Sequence, residues 1–356
     1  MTTEYQDFIN LVRLGLGNTS EYLAGYIDWT NVKKIARKHE LSAVVLDGID
    51  KLPERQRPSQ NLLLPWIGEV ILGYEARYKY CEKVLSEMAA FYNAHNLKMM
   101  VLKGYACSLD WPKSNHRPCG DIDIWLFGKQ READALLASE KGINVDVSHH
   151  HHTVFYWRDY MVENHYDFIN VHHHRSHVAL EKVLKELGKD DSHYVEEYGE
   201  RVYLPSPNLH ALFLLKHMAL HFSVGEITLR QFLDWGFFIQ KHGAEVDWKW
   251  QLPMLEKFGL LEFFGIVNAI CEEKLGFVFN LRLEVNADTT LIERVYNDIL
   301  NPEFSREIPS ALLPRVVFKC KRWRANAWKH RLCYSDSLWS AFWSGVYGHL
   351  MKPGSI

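Results

Sequence analysis

The chain has 356 residues, 47% hydrophobic and 24% charged, with a formal net charge of −3. Such a length exceeds one ordinary core and implies two or three packed units. The composition excludes a disordered chain, and the lack of a global basic field argues against long nucleic acid as a partner.

The six cysteines (Cys81, Cys107, Cys119, Cys271, Cys320 and Cys333) show no C-x-x-C spacing, so neither a zinc knuckle nor a redox pair is indicated. Reduced thiols and a cytoplasmic protein are the expectation. The opening MTTEYQDFINLVRLGLG is acidic and amphipathic, unlike a signal peptide. No run of 18 apolar residues predicts a membrane span.

Residues 1–95 read as a helical N-terminal region, broken by a loop from Pro53 to Gln60. From Trp66 to Asn93 a stripe of Ile71, Tyr74, Tyr78, Cys81, Val84, Leu85, Met88 and Phe91 recurs at steps of three and four, which reads as core packing. Met99 to Leu102 is a buried strand that ends at Lys103-Gly104. A helical turn or two, a Pro/Gly loop, the strand DIDIWLF and a charged helix closed by Gly142 follow. HHTVFYW and YMVENHYDFINVH are two strands around a short turn. Together, residues 96–180 form an α+β core with the order strand, helix, strand, helix, strand, strand. Residues 181–356 read as a helical C-terminal domain, without repeats or low-complexity linkers.

Asp121 and Asp123 stand at alternate positions in RPCGDIDIWL, an otherwise apolar strand. Side chains at i and i+2 project to one face, so the two carboxylates converge. Unpaired, they would repel each other and be costly to bury; a divalent cation removes both problems. Oxygen ligands at this spacing suit Mg²⁺. The bland reading is a solvated strand end paired with surface lysines. Against it stand Gly120 before the pair, the LKG turn, and a third carboxylate in MVENHYDF. On that later strand Glu163, His165 and Asp167 are expected to share one face. On this reading, replacing Asp123 with Asn relieves repulsion and leaves stability unchanged or slightly raised.

The set VLKG, RPCGDIDIWL and MVENH, from Val101 to His165, resembles the nucleotidyltransferases of the DNA polymerase β-like superfamily, and within it the bacterial uncharacterised nucleotidyltransferase group. The resemblance implies a polymerase β-like core with flanking helices. It also implies Mg²⁺-dependent (or Mn²⁺-dependent) transfer of a nucleoside monophosphate from an NTP, with ATP favoured, to an unidentified hydroxyl on a small molecule, sugar or protein. Asp121, Asp123 and Glu163 would hold the metals, Glu163 alternatively helping to deprotonate the acceptor. Gly104 would sit under the triphosphate. Where superfamily members often carry Gly-Ser, Tyr105 follows Gly104 here. That departure favours an alternative, a non-catalytic nucleotide-binding or regulatory module on the same fold.

Lys103 and Arg117 have the charge to neutralise a triphosphate, though Lys103 reads equally as a solvated turn residue. His165 is placed to orient Glu163 or contact the nucleotide. His149 to His152 and His172 to His174 raise a zinc site, but consecutive strand histidines alternate faces, so cleft or surface histidines are the preferred reading. His217 and His221, like Arg230 and Asp234, are i, i+4 pairs on helices. They are candidates for closing over the acceptor, with core histidines and an ordinary helix salt bridge as the plain alternative. Arg315 to Arg331 is a basic aromatic helix whose expected role is a solvated face.

Overall fold

The computed structural model describes residues 3–19, 25–172, 174–281, 285, 287–302 and 310–351. His173, part of the second histidine run, lies outside the described residues. Helices α1 (Thr3–Leu16), α2 (Trp29–Lys38) and α3 (Ser42–Asp50) open the chain. Gly15 and Gly48 let α1 and α3 cross in backbone contact, because a Cβ at either would overlap the carbonyl oxygen of Val44 or Leu11. The long helical stripe is α4 (Gln60–Glu69) and α5 (Ala76–Ala94), joined through a π-helical turn at Val70–Glu75.

Next come β1 (Met100–Val101), the short helix α6 (Lys103–Ser108), β2 (Ile122–Trp125), α7 (Gln130–Lys141), β3 (His152–Trp157) and β4 (Tyr160–His165). This is the order expected from the hydrophobic pattern. Gly142 closes α7 in the left-handed conformation.

Beyond α8 (Arg175–Leu187) the chain is not yet purely helical, as the sequence reading had it. A hairpin, β5 (Tyr194–Glu197) and β6 (Glu200–Tyr203), joins the same sheet. The six strands run in the order β3-β4-β2-β1-β6-β5. β1 is antiparallel to β2 and parallel to β6, while β2 is parallel to β4. The hairpin lacks a strand signal because half of its residues are charged and β5, at the sheet edge, has no buried residue. The helices α9 (Pro207–Val224), α10 (Leu229–His242), α11 (Trp248–Lys257), α12 (Leu261–Ala269), α13 (Thr289–Leu300), α14 (Leu312–Ala325), α15 (Ala327–Cys333) and α16 (Leu338–Met351) follow. The basic aromatic stretch is therefore two helices, α14 and α15, rather than one. The architecture is mixed α+β.

Both faces of the sheet are covered, which explains why β2 is buried at every position. Val101, Ile122, Ile124, Phe155, Val162 and Val202 pack with α5 and α7 in one core. Met100, Trp125 and Tyr203 belong to the other core, which includes α9 and α10. Strand alternation then fixes where Asp123 must go. It shares a face with Trp125, toward the C-terminal helices and away from α5.

Candidate functional site

β2 and β4 are parallel neighbours in a register that sets Asp123 opposite Glu163 and Trp125 opposite His165. Asp123 is 3% exposed. The amide N–H of Leu102 donates to the Asp123 carbonyl oxygen at 2.9 Å, tying the end of β1 to the acidic strand. At Lys103 the backbone takes a φ of +36°, in the left-handed region that a non-glycine residue adopts only at a cost. Beyond that turn, the Lys103 ammonium lies 2.6 Å from Asp123 Oδ1. Lys103 is thus an internal ion-pair partner and not a solvated turn residue.

His165 Nε2 lies 2.9 Å from Asp123 Oδ1 and 3.5 Å from Glu163 Oε2, and Nδ1 faces the Asp167 carbonyl at 3.1 Å. That carbonyl accepts only from an Nδ1–H, and Nε2 faces two carboxylates, so the ring is held as an imidazolium. Burial opposes that charge, but the hydrogen bonds to Asp123 and Glu163 outweigh it and raise His165 to about 9. Burial likewise disfavours the Asp123 carboxylate, yet Lys103 and His165 hold it well below the usual carboxylate range. Glu163 is lowered despite burial, mainly by its bond to His165. Asp121 goes the other way: burial and the Asp123 charge raise it, with Lys103 pulling against them. Asp167 does not share the Glu163 face, since β4 ends at His165 and Asp167 turns out to pair with Lys185.

Asp121 and Asp123 open onto a cleft of about 750 Å³. Lys103, Gly104, Arg117 and Gly120 line it from the core, His217, His221, Arg230 and Asp234 from α9 and α10, Glu40 from the turn between α2 and α3, and Arg77 from α5. A Cβ on Gly120 would meet nothing within 4 Å, so the wall before Asp121 is open to a ligand. Tyr105 leaves this wall entirely. Its ring is buried and stacks on Tyr78 at 5.8 Å, and its hydroxyl donates to Glu197 of β5.

Two arginines of the cleft have partners that the sequence reading did not give them. Arg117 is 3% exposed and makes a bidentate pair with Asp234, Nε to Oδ1 at 2.8 Å and Nη2 to Oδ2 at 2.9 Å. Asp234 Oδ1 also accepts from Trp111 Nε1 at 2.9 Å. Arg117 is therefore a strut between core and α10, in place of the free phosphate ligand anticipated. Arg230 bonds Glu40 at 2.8 Å and only approaches Asp234, at 3.9 Å, so the expected helix salt bridge is subordinate to cross-chain pairs. His217 and His221 do meet, Nε2 to Nε2 at 3.1 Å, and burial keeps His217 neutral.

Sequence reasoning missed Glu40 and Arg77. Arg77 donates to the carbonyls of Cys119 and Gly120 and stacks over Tyr160 at 4.4 Å, bracing the loop before Asp121. Nothing in the helical stripe around it distinguishes it from a solvated arginine. Of the histidine runs, only His152 lies in β3, so strand alternation does not govern His149 to His151.

No curated protein matches. A crystal structure of an antigenic nucleotidyltransferase-like protein from Paracoccidioides brasiliensis is similar at 18% identity and a TM-score of 0.31, covering 44% of this chain and 73% of that one. The model of a family described as uncharacterised nucleotidyltransferase matches residues 26–276, a span from α2 through α12 that contains every cleft residue named above. On that match the chain belongs to the uncharacterised nucleotidyltransferase family.

Proposed function

We propose that the chain transfers a nucleoside monophosphate from an NTP, ATP being the expected donor, to a hydroxyl acceptor with release of pyrophosphate. In this reading Mg²⁺ (or Mn²⁺) is held by Asp121, Asp123 and Glu163. One observation carries it: Asp123 and Glu163 are register partners on adjacent parallel strands, and Asp121 joins Asp123 in the wall of one cleft. The donor set fits a divalent cation. Three carboxylates act on the Lys103 ammonium and two of them also on the His165 imidazolium, which leaves one negative charge uncompensated. Oxygen donors of this kind suit Mg²⁺.

A cation bound there would supply charge stabilisation to the attacking and leaving oxygens of an in-line displacement. The chain's own residues do the rest. His165 keeps Asp123 ionised and fixes its orientation. Glu163, also held ionised, serves as a ligand more readily than as a base. Lys103 needs another anion once its hold on Asp123 is relaxed, and the triphosphate supplies one at the same wall. Gly104 and Gly120 leave room beside it. Arg230, His217 and His221 face this wall from the helical side, where the acceptor would bind.

Incubation with labelled NTPs, Mg²⁺ or Mn²⁺ and cell extract should give a labelled product and pyrophosphate, both lost in Asp121→Asn. No label from any NTP with either metal would sink the proposal. A second reading, a non-catalytic nucleotide-binding module, is favoured by the ammonium seated on the very oxygen a metal would need. It predicts a thermal shift with ATP and Mg²⁺ but no turnover.

A further inference from the structure

Next to the acidic floor, the edge of the sheet gathers imidazoles. His152 opens β3 and is the register partner of His165 on β4. His151 precedes it, and its carbonyl accepts from the amides of Tyr166 and Asp167, both at 3.0 Å, which anchors the loop over the end of β4. Ring centroids lie 4.3 Å apart for His151 and His152, 5.3 Å for His152 and His165, and 5.6 Å for His151 and His165. One nitrogen from each ring falls within 4.8 Å of the other two. Both nitrogens of His165 have partners, but Nδ1 of His151 and Nδ1 of His152 are buried and have no hydrogen-bond partner among the described residues.

We propose that His151, His152 and His165, with Glu163 as the fourth ligand, form a site for a divalent transition metal, of which zinc is the best fit. Glu163 Oε2 lies 3.8 Å from His152 Nδ1 and 3.5 Å from His165 Nε2, beside two of the three rings. Imidazole donors select zinc and its neighbours over Mg²⁺. Zinc–nitrogen bonds of about 2.0–2.1 Å place tetrahedral ligands roughly 3.3 Å apart. Coordination through His165 Nε2 displaces the proton that this nitrogen shares with Asp123, so the ion takes the place of that positive charge. The Asp167 carbonyl on His165 Nδ1 is the outer partner that fixes which ring nitrogen points inward. His151 is only half buried, which gives the ion a route from solvent. The site borrows Glu163 and His165 from the acidic floor, but it stands whether or not the chain transfers nucleotides.

The test uses the full chain, produced without a histidine tag and stripped with chelator. Co²⁺ titration should give visible ligand-field bands that saturate at one equivalent, that Zn²⁺ displaces and that a large excess of Mg²⁺ does not. His151→Ala and His152→Ala should each weaken Co²⁺ binding by more than the 10–100-fold typical of losing an outer-shell partner. Asp121→Asn should retain it, even though that variant loses nucleotide transfer. X-ray absorption on the wild-type Zn²⁺ complex, which needs no variant to fold, should count three imidazoles. Sub-stoichiometric binding, displacement by Mg²⁺, fewer than three imidazoles, or a His151→Ala/His152→Ala double variant that binds like wild type would each overturn the assignment.

Discussion

Replacing Asp123 with Asn tests the electrostatic design of the site most directly. From sequence alone the change relieves repulsion between two carboxylates and costs nothing. The structure reverses that expectation, because Asp123 Oδ1 receives both Lys103 at 2.6 Å and His165 at 2.9 Å. The three side chains are 4%, 15% and 2% exposed respectively, so water cannot replace the lost anion. A histidine raised from 6.5 to about 9 in the folded state contributes on the order of 3 kcal/mol of stability. Losing the Asp123 charge removes most of that and leaves Lys103 with Asp121 and Glu163 as its remaining counter-charges. The expected loss is about 3–5 kcal/mol near pH 6. The sign of the pH dependence follows from the raised value. The His165 contribution is fully present below about 6.5 and disappears as pH rises through about 9, so the gap between wild type and variant should narrow across that window. Urea denaturation of both proteins at pH 6 and pH 9 measures it. A variant as stable as wild type at pH 6, or a gap that widens with pH, would refute the reasoning.

Asp234→Asn should cost about 3–5 kcal/mol in denaturant unfolding, because the buried Arg117 guanidinium loses its bidentate partner; a cost under about 1 kcal/mol would mean that Arg117 is held by something else. Arg230→Ala should change stability by less than about 1 kcal/mol, since Glu40 is 45% exposed and water can solvate it. The same variant should lower label incorporation from NTP by about one to two orders of magnitude if Arg230 holds the acceptor; unchanged incorporation would move the acceptor elsewhere. Lys216 is 1% exposed, its ammonium lies 4.0 Å from the Tyr334 ring centroid, and burial lowers it to about 7. Between pH 7 and its unfolded value near 10.5, the unfolded chain binds the extra proton, so stability rises with pH. Comparison with Lys216→Met at pH 7 and pH 8.5 should show wild type gaining up to about 1.4 kcal/mol per pH unit, and equal slopes would remove Lys216 as the cause.

The carboxylates of this site were legible because their placement is local. A period-two pattern with Ile122 and Ile124 on one side leaves Asp123 on the other whatever the rest of the chain does, and the same holds for Glu163 against Val162. The cations were not legible, because what they bond is decided by residues far away in sequence. Arg117 finds Asp234 117 residues downstream, and Arg230 finds Glu40 190 residues upstream. Lys103 reaches Asp123 only through a backbone turn that propensity disfavours. The hairpin of β5 and β6 was hidden for a different reason, since an edge strand exposes charge on both sides of its alternation. This asymmetry has a physical consequence. An acidic floor without its own cations would spread apart in the absence of metal, and assembling it would then have to be driven by the ligand. Here Lys103 and His165 hold Asp123 and Glu163 in place beforehand, at the cost of occupying one of the oxygens. On the proposed reading, binding would be an exchange of counter-charges on a fixed frame, with Lys103, paired with Asp123 across a strained turn, the group that must yield.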